Sequence, residues 1–450
     1  MKNAILSILI LFSTLTSAQK FYFPPLAGNE WKRLSPDSLG WQPDSLARLH
    51  DFLLNRNTKS FMILKSGKIV VEWYFDDFTA DKFWYWASAG KTLTAFLIGQ
   101  AQDEGLLNIN DRTSDYLGSG WTSAPQDKEN LITIRHQLTM TTGLDDGNSS
   151  NTCTLDSCLH YLADAGERWA YHNAPYTLLL DVLEKVSHMS KNRTIQTHLL
   201  SRIGMNGLWI KVGDNQIFTS TTRSMARFGL LVQNRGVWDA DTLLHDWEYF
   251  NAMTHSSQML NKSYGYLWWL NGQGSYMLPG SQLVFHDDLI PSAPDDLIAA
   301  LGKNDQRLYI SNSLGLTVVR LGDAAAQSNQ ALSSFDNDLW QKIITLADDG
   351  SRVNVNNGQS RQPAALELAP NWPNPFNAGT MIQFTLQHDA PVLVQIYTLR
   401  GELTATLADA FFPAGTHRFP FQANRLPSGI YIIRLCSNKR MVSRKMLLLD

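Results

Sequence analysis

The sequence predicts an α+β protein in which an antiparallel sheet flanked by helices carries an inserted helical region, with a small β-sandwich after it. Three observations predict this. Strand-like runs stand near both ends of the first 347 residues, with mainly helical patterns between them. Composition then turns polar and rich in Asn, Ser and Gly from Asp348 to Pro363. Beyond that stretch, short alternating runs separated by turn residues resume.

Met1 to Ala18 carries Lys2, an apolar run from Ala4 to Phe12 and the small residues Thr16-Ser17-Ala18, the pattern of a cleaved export signal. No later run reaches the roughly 18 apolar residues of a membrane span, so no transmembrane segment is expected in the mature chain. Pro43 to Leu54 reads as a helix with Leu46, Leu49, Leu53 and Leu54 on one side. Phe61 to Leu64 and Ile69 to Tyr74 read as a hairpin through Lys65-Ser66-Gly67-Lys68. Lys91 to about Leu107 is helical, and the chain to about Phe250 is mainly helical with loops, including Tyr176 to Val186 and Thr222 to Gln233. Strands return at Leu297 to Leu301, Arg307 to Ser311 and Leu316 to Leu321, before a closing helix from Asp336 to Ala347. The sandwich strands are Met381 to Leu386, Val392 to Tyr397, Gly429 to Leu435 and Met441 to Leu448. The expected units are a signal at 1–18, a first domain at 19–347, a linker at 348–365 and a second domain at 366–450.

Of 450 residues, 44% are hydrophobic and 18% charged, enough to bury a large core. Thirty-eight Lys and Arg against 41 Asp and Glu give a net charge of -3, without the basic field that nucleic acid binding needs. Three cysteines are too few for a disulfide-built scaffold. Export makes Cys153 and Cys158 candidate disulfide partners, two free thiols being the alternative, and leaves Cys436 as a core residue of the sandwich.

No Gly-x-Ser-x-Gly elbow and no His-Glu-x-x-His pair occurs. Ser88-Ala89-Gly90-Lys91 instead sits where the aromatic run Phe83 to Trp86 gives way to a helix. Ser and Lys three apart share a helical face, so a desolvated amine can take the proton of the hydroxyl. The spacing alone is not specific, since Ser17 and Lys20 share it. Tyr171-His172-Asn173 supplies a phenol, expected to ionise more easily beside a lysine, and an amide that can orient a carbonyl; Tyr249 and Asn251 have the same spacing. His286-Asp287-Asp288 reads as a solvated loop, and neither a metal site nor a cofactor site is expected. Of the 14 Trp, Trp268 and Trp269 are the candidates for an aromatic cleft, the others for core.

These motifs, with Leu138-Thr139-Met140-Thr141-Thr142-Gly143-Leu144, Tyr264 to Trp269 and Leu316 to Leu321, give residues 61–322 a resemblance to serine hydrolases related to class C β-lactamases, penicillin-binding proteins and family VIII esterases. The resemblance implies a β-lactamase-like fold with Ser88 as acylated nucleophile, Lys91 as base, Tyr171 as proton relay and Asn173 as a positioning residue. It also implies an oxyanion hole from the backbone N–H groups of Ser88 and of the residue after Gly302. The third motif of the family, Lys-Thr-Gly or His-x-Gly, falls on Ala300-Leu301-Gly302, where Ala300 offers no cation to a substrate carboxylate. Lys303 is the nearby candidate to compensate. The expected substrate is therefore a small ester or amide, ahead of a β-lactam or a D-Ala-D-Ala peptide.

Asn371-Trp372-Pro373-Asn374-Pro375-Phe376-Asn377, Ala414-Gly415 and Ser428-Gly429-Ile430-Tyr431 make residues 366–450 resemble the C-terminal sorting domain of type IX secretion cargo, an immunoglobulin-like sandwich. A generic carbohydrate-binding or adhesive sandwich is the alternative. The resemblance implies the type IX machinery as partner, and a secreted or cell-surface product. The competing function is a non-catalytic surface binder built on a hydrolase-like fold.

Overall fold

A computed structural model of the chain describes residues 21–147, 151–325, 333–347, 366–369, 371–423, 426–438 and 440–449. The expected signal and linker segments, 1–18 and 348–365, lie outside the described residues.

A six-stranded antiparallel sheet forms from both ends of the first domain, in the order Lys68–Tyr74, Thr58–Lys65, Leu316–Gly322, Gln306–Ser311, Ile298–Gly302 and Trp269–Leu270. Its inner strands Gln306–Ser311 and Leu316–Gly322 are buried along their whole length, so both faces are covered. Helix Thr222–Gln233 covers one face, where Gly229 lets it settle: a Cβ there would stand 2.5 Å from Thr317 Cγ2 and 2.6 Å from Leu308 Cδ1. Helices Pro43–Leu54 and Ser334–Ile344 pack together, Phe52 stacking on Phe335.

The outer edge of the sheet is covered where it begins. Residues 22–34 bridge to it at Ile69, with Leu34 N–H donating to Ile69 O at 2.8 Å and Ile69 N–H to Lys32 O at 3.0 Å, while Trp31 Nε1 donates to Gly67 O in the preceding turn at 2.7 Å.

One correction concerns the middle of the domain. A hairpin, Leu208–Val212 with Asn215–Ser220, stands within the stretch expected to be mainly helical, and Trp84–Tyr85 pairs with its second strand. Asn192 blocks the free edge of this hairpin, taking the N–H and the carbonyl of Trp209 onto its side-chain amide.

The C-terminal residues form two sheets. One holds Leu366–Leu368, Gly379–Leu386 and Gly415–Gln422; the other holds Phe376–Asn377, Arg440–Leu449, Gly429–Ser437, Ala390–Thr398 and Leu403–Phe412. Ile382, Phe384, Val394, Ile396, Ile433 and Leu435 fill the core between them. Ile432, facing the other way, is buried among side chains of the first core. Cys436 is half-buried at a surface depression rather than in the core, because strand alternation puts Leu435 inward.

A buried polar cluster ties the closing helix to the sheet. Arg307 is fully buried and pairs with Asp336 and, at 2.6 Å, with Asp305, while the Tyr309 hydroxyl donates to Asp336. Removing one member leaves a buried charge uncompensated, a loss of about 3–5 kcal/mol. Asp336→Ala is expected to lose about that much in urea denaturation; a change under about 1 kcal/mol would show that the pair is not holding the helix.

Candidate active site

Ser88 lies in a short 3-10 turn, Ala87–Gly90, that runs directly into helix Lys91–Asp103. Trp86 anchors the turn. Its backbone N–H donates to Phe218 O at 2.8 Å, its indole donates to Ser220 Oγ at 2.8 Å, and its carbonyl accepts from Ala89 N–H at 3.1 Å. Ala87 takes a left-handed φ of 48°, a conformation that costs a non-glycine residue of order 1–3 kcal/mol and that surrounding contacts must hold.

Lys91 extends from the first turn of the helix, and its Nζ stands 2.8 Å from Ser88 Oγ. It donates to Asn173 Oδ1, also at 2.8 Å. The rings of Tyr176 and Tyr171 close over it, with centres 4.0 and 5.0 Å away. The side chain is buried, and no ion pair to it occurs among the described residues. Burial holds the Lys91 amine well below its ordinary value, which favours the neutral base.

Tyr171 and Asn173 come from the start of helix Asn173–Ser187. The segment before it is hung from the Leu138–Leu144 stretch, with Ala170 N–H donating to Met140 O and Gly166 N–H to Thr141 O, both at 2.8 Å. Gly143, at φ 76°, is forced by contact: a Cβ there would lie 2.1 Å from Ala163 O. Tyr171 is buried against Trp269, Tyr264 and Trp169, and its hydroxyl makes no hydrogen bond of good geometry. Burial pushes this phenol well above its ordinary value, the nearby Ser88 hydroxyl opposing the shift. The expectation of an easily ionised phenol is thereby reversed, since burial disfavours the phenolate and holds the neighbouring amine below its ordinary value. His172 is buried and pushed down to about 4 by desolvation, so it carries no charge near neutral pH.

On the opposite side, strand Ile298–Gly302 ends against the Ser88 turn. A Cβ at Gly302 would stand 2.3 Å from Trp86 O, so only glycine allows this approach. The turn that follows is fixed from below: Arg307 Nη1 donates to Gly302 O at 2.7 Å, and Arg320 Nη1 to Asp305 O at 2.9 Å. From above, Asn304 Nδ2 donates to the Tyr85 hydroxyl at 2.8 Å.

Ser88, Lys91, Tyr171, Asn173 and Gly302 therefore converge. Three other expected site residues do not. The Lys303 side chain is exposed and makes no hydrogen bond or ion pair with them. Trp268 is fully buried on Phe228, and Trp269 stacks behind Tyr171 at 5.8 Å; both are core, because the helix and the aromatic cluster cover their faces. Cys153 and Cys158 are joined, with their sulfurs 2.03 Å apart. His286 and Asp287 are exposed. The competing Tyr249 is packed against Gly99, with its hydroxyl on Ala95 O at 2.6 Å.

Sequence reasoning missed Tyr176 and Asn151. Tyr176 follows Asn173 by three residues, and that helical spacing was the available signal. Asn151 accepts from Asn173 N–H at 2.9 Å and from its Nδ2 at 2.6 Å, and nothing in its polar surroundings marked it.

The family model described as Beta-lactamase matches residues 55–288, and the one described as Secretion system C-terminal sorting domain matches residues 371–448. No curated protein matches. Among solved structures, a putative beta-lactamase from Bacteroides dorei DSM 17855 superposes with TM-score 0.55 at 14% identity, covering 68% of this chain and 99% of that one. A putative 6-aminohexanoate-dimer hydrolase from Bacillus anthracis gives 0.52 at 18% identity over 66% and 81%. A novel penicillin-binding protein homolog from Caulobacter crescentus gives 0.52 at 12% over 68% and 98%. These neighbours share the fold. The sorting domain directs the chain through type IX secretion to the cell surface or outside. Among the described residues no helix is long and apolar enough to cross a membrane.

Two outcomes are expected from this geometry. Gly302→Ala should lower the melting temperature by several degrees and slow the reaction of Ser88 with a fluorophosphonate, since the turn must move away from Trp86; an unchanged rate and melting point would contradict the close approach. Lys91 is depressed in the folded chain, so below its ordinary value of 10.5 the unfolded chain binds a proton that the folded chain does not. Unfolding free energy should therefore rise with pH up to that value, by at most about 1.4 kcal/mol per unit from this group. Urea denaturation between pH 7 and 10 should show a steeper rise for the unsubstituted protein than for Lys91→Met; parallel lines would refute the depression.

Proposed function

We propose, from the premise that the chain belongs to the beta-lactamase family, that it is an exported serine hydrolase cleaving a small carboxylic ester or amide through an acyl-Ser88 intermediate. The observation that carries this reading is the buried Lys91 amine, 2.8 Å from Ser88 Oγ with no carboxylate paired to it among the described residues. A neutral amine takes the Ser88 proton as Oγ bonds to the substrate carbonyl carbon, and the carbonyl electron pair moves onto oxygen. The backbone N–H groups of Ser88 and Lys303, on the two sides of the Gly302 contact, receive that oxyanion. When the tetrahedral species collapses, the leaving group departs with a proton relayed through the Tyr171 hydroxyl, which burial keeps protonated. Water then adds to the acyl-Ser88 carbonyl by the reverse roles, and the acid is released.

The substrate class rests on Ala300. Its methyl group is buried on the strand where the related motif carries a cation, and Lys303 points into solvent, so a substrate carboxylate finds no charged partner there. The neighbours' names cover a beta-lactamase, a penicillin-binding protein homolog and a 6-aminohexanoate-dimer hydrolase, so the shared fold does not choose among substrates.

Ser88→Ala and Lys91→Ala should each lower hydrolysis of a short-chain p-nitrophenyl ester by more than about 1,000-fold while the circular dichroism spectrum is unchanged. Retained activity in a folded Ser88→Ala protein rules the mechanism out. In a panel of short esters, small amides and a chromogenic cephalosporin, an ester or amide should give the highest kcat/KM. A dominant cephalosporin rate would mean that Ala300 does not set the substrate class, and absence of turnover together with failure of a fluorophosphonate to label Ser88 would favour a binding protein.

A further inference from the structure

Asn151 holds both ends of the Tyr171-x-Asn173 segment with one side chain. Its Oδ1 accepts from the Asn173 backbone N–H at 2.9 Å and from Asn173 Nδ2 at 2.6 Å, while its Nδ2 donates to Tyr171 O at 3.2 Å. Its backbone carbonyl also accepts from Ala174 N–H, at 3.0 Å.

The chemistry gives this grip a purpose. A carboxamide has one accepting end and one donating end of nearly the same shape, and only its neighbours decide which end faces which way. Lys91 requires the accepting end of Asn173, and gets it at 2.8 Å. Asn151 Oδ1 is an acceptor placed against the other end, so the reversed amide would set two oxygens face to face there and an NH2 group against the Lys91 amine.

Asn151 is itself carried on a tied loop. Asp145 N–H donates to His160 O at 2.9 Å, and Leu162 and Ala163 N–H both donate to Gly143 O, which closes the base. Cys153, two residues beyond Asn151, is bonded to Cys158, which shortens the loop on its far side. Leu159, next to that bridge, is fully buried in a small apolar cluster with Leu144 and Ala174.

We infer that Asn151 is a positioning residue for the Ser88 and Lys91 chemistry, fixing the Asn173 amide with its oxygen toward Lys91 from a segment braced two residues further on by the Cys153–Cys158 disulfide. The inference rests on the reading of Ser88 as nucleophile and Lys91 as base.

The test measures the rate at which a fluorophosphonate labels Ser88 as a function of pH, in the full chain and in Asn151→Ala, Asn151→Asp and the double variant Cys153→Ser, Cys158→Ser. The groups facing the Lys91 amine are Ser88, Asn173, Tyr171 and Tyr176, all neutral near pH 7. Farther out, Asp146 is paired with Arg168 at 2.6 Å, beside the neutral His172. A carboxylate at position 151 would thus be a new charge near Lys91. Asn151→Ala should lower the labelling rate at pH 7 by about 10-fold, the effect of one lost positioning hydrogen bond. It should also move the acid limb of the profile to lower pH, because the ammonium loses its acceptor and Lys91 becomes a weaker base.

Asn151→Asp keeps the acceptor toward both Asn173 N–H groups but loses the donor to Tyr171 O. It should recover part of the rate lost in Asn151→Ala and move the limb to higher pH, since the added negative charge favours the ammonium. The cysteine variant should shift the limb in the same direction as Asn151→Ala. A purely structural role would lower stability without opposite shifts in the two Asn151 variants. Unchanged rate and profile in Asn151→Ala overturns the positioning role, and a cysteine variant identical to the unsubstituted protein overturns the part assigned to the disulfide. Labelling that persists in Ser88→Ala would instead remove the reading beneath both.

Discussion

Lys91 carries its amine to a place water does not reach, and no carboxylate among the described residues meets it there. An ammonium so placed loses its hydration without gaining a counter-charge, so burial favours the neutral amine. The surroundings follow from that constraint. Two tyrosine rings and one amide oxygen can accommodate an uncharged amine, whereas a single aspartate would favour the ammonium. The same exclusion of water disfavours the Tyr171 phenolate, so one act of burial opposes both charged forms side by side.

Neutral groups bind one another weakly, so their placement has to come from the framework. On one side the Ser88 turn is pressed against the end of the sheet at Gly302, with no room for a methyl group. Beneath it, Arg307 grips the Gly302 carbonyl while pairing with Asp336 on the closing helix, and Arg320 holds the next turn. Residues far apart in the chain thus meet under Ser88, and the charges absent around Lys91 are found in this foundation. Ala87, held at positive φ, is the local strain that this foundation sustains.

Much of this was legible in the sequence. Helices Pro43–Leu54 and Thr222–Gln233 have the bounds expected from their apolar spacing, and the late strands lie within a residue of theirs. Ser88, Lys91, Tyr171 and Asn173 were identified by local motifs, and folding brings them together. What escaped depends on partners distant in sequence. The Leu208–Ser220 hairpin is short and partly exposed, so it lacks the continuous apolar run that marks an inner strand. Leu403–Phe412 has no buried residue and Gly415–Gln422 buries only Phe421, so neither carries the apolar run that marks an inner strand. Trp268 and Trp269 look like cleft residues by composition, but aromatic neighbours from two other segments, Trp169 with Tyr171 and Phe228, seal them in. Asn151 is ordinary in sequence and acquires meaning only from what stands 22 residues away.

The segment over residues 22–34 has a bearing on how such a chain survives its journey. An uncovered edge strand is a template for another molecule's strand, and Lys68–Tyr74 carries Ile69, Val70 and Val71 along that edge. Leu34 and Lys32 occupy the hydrogen-bonding groups of Ile69 at the start of that edge, and Trp31 holds Gly67 in the turn before it. The cover also reaches inward, since Pro25 and Asn29 carbonyls accept from Arg227 and Arg223 on the helix behind the sheet. A chain trimmed through this segment would open the Ile69 N–H and carbonyl to the strand of another copy, which is the hazard of an uncovered edge.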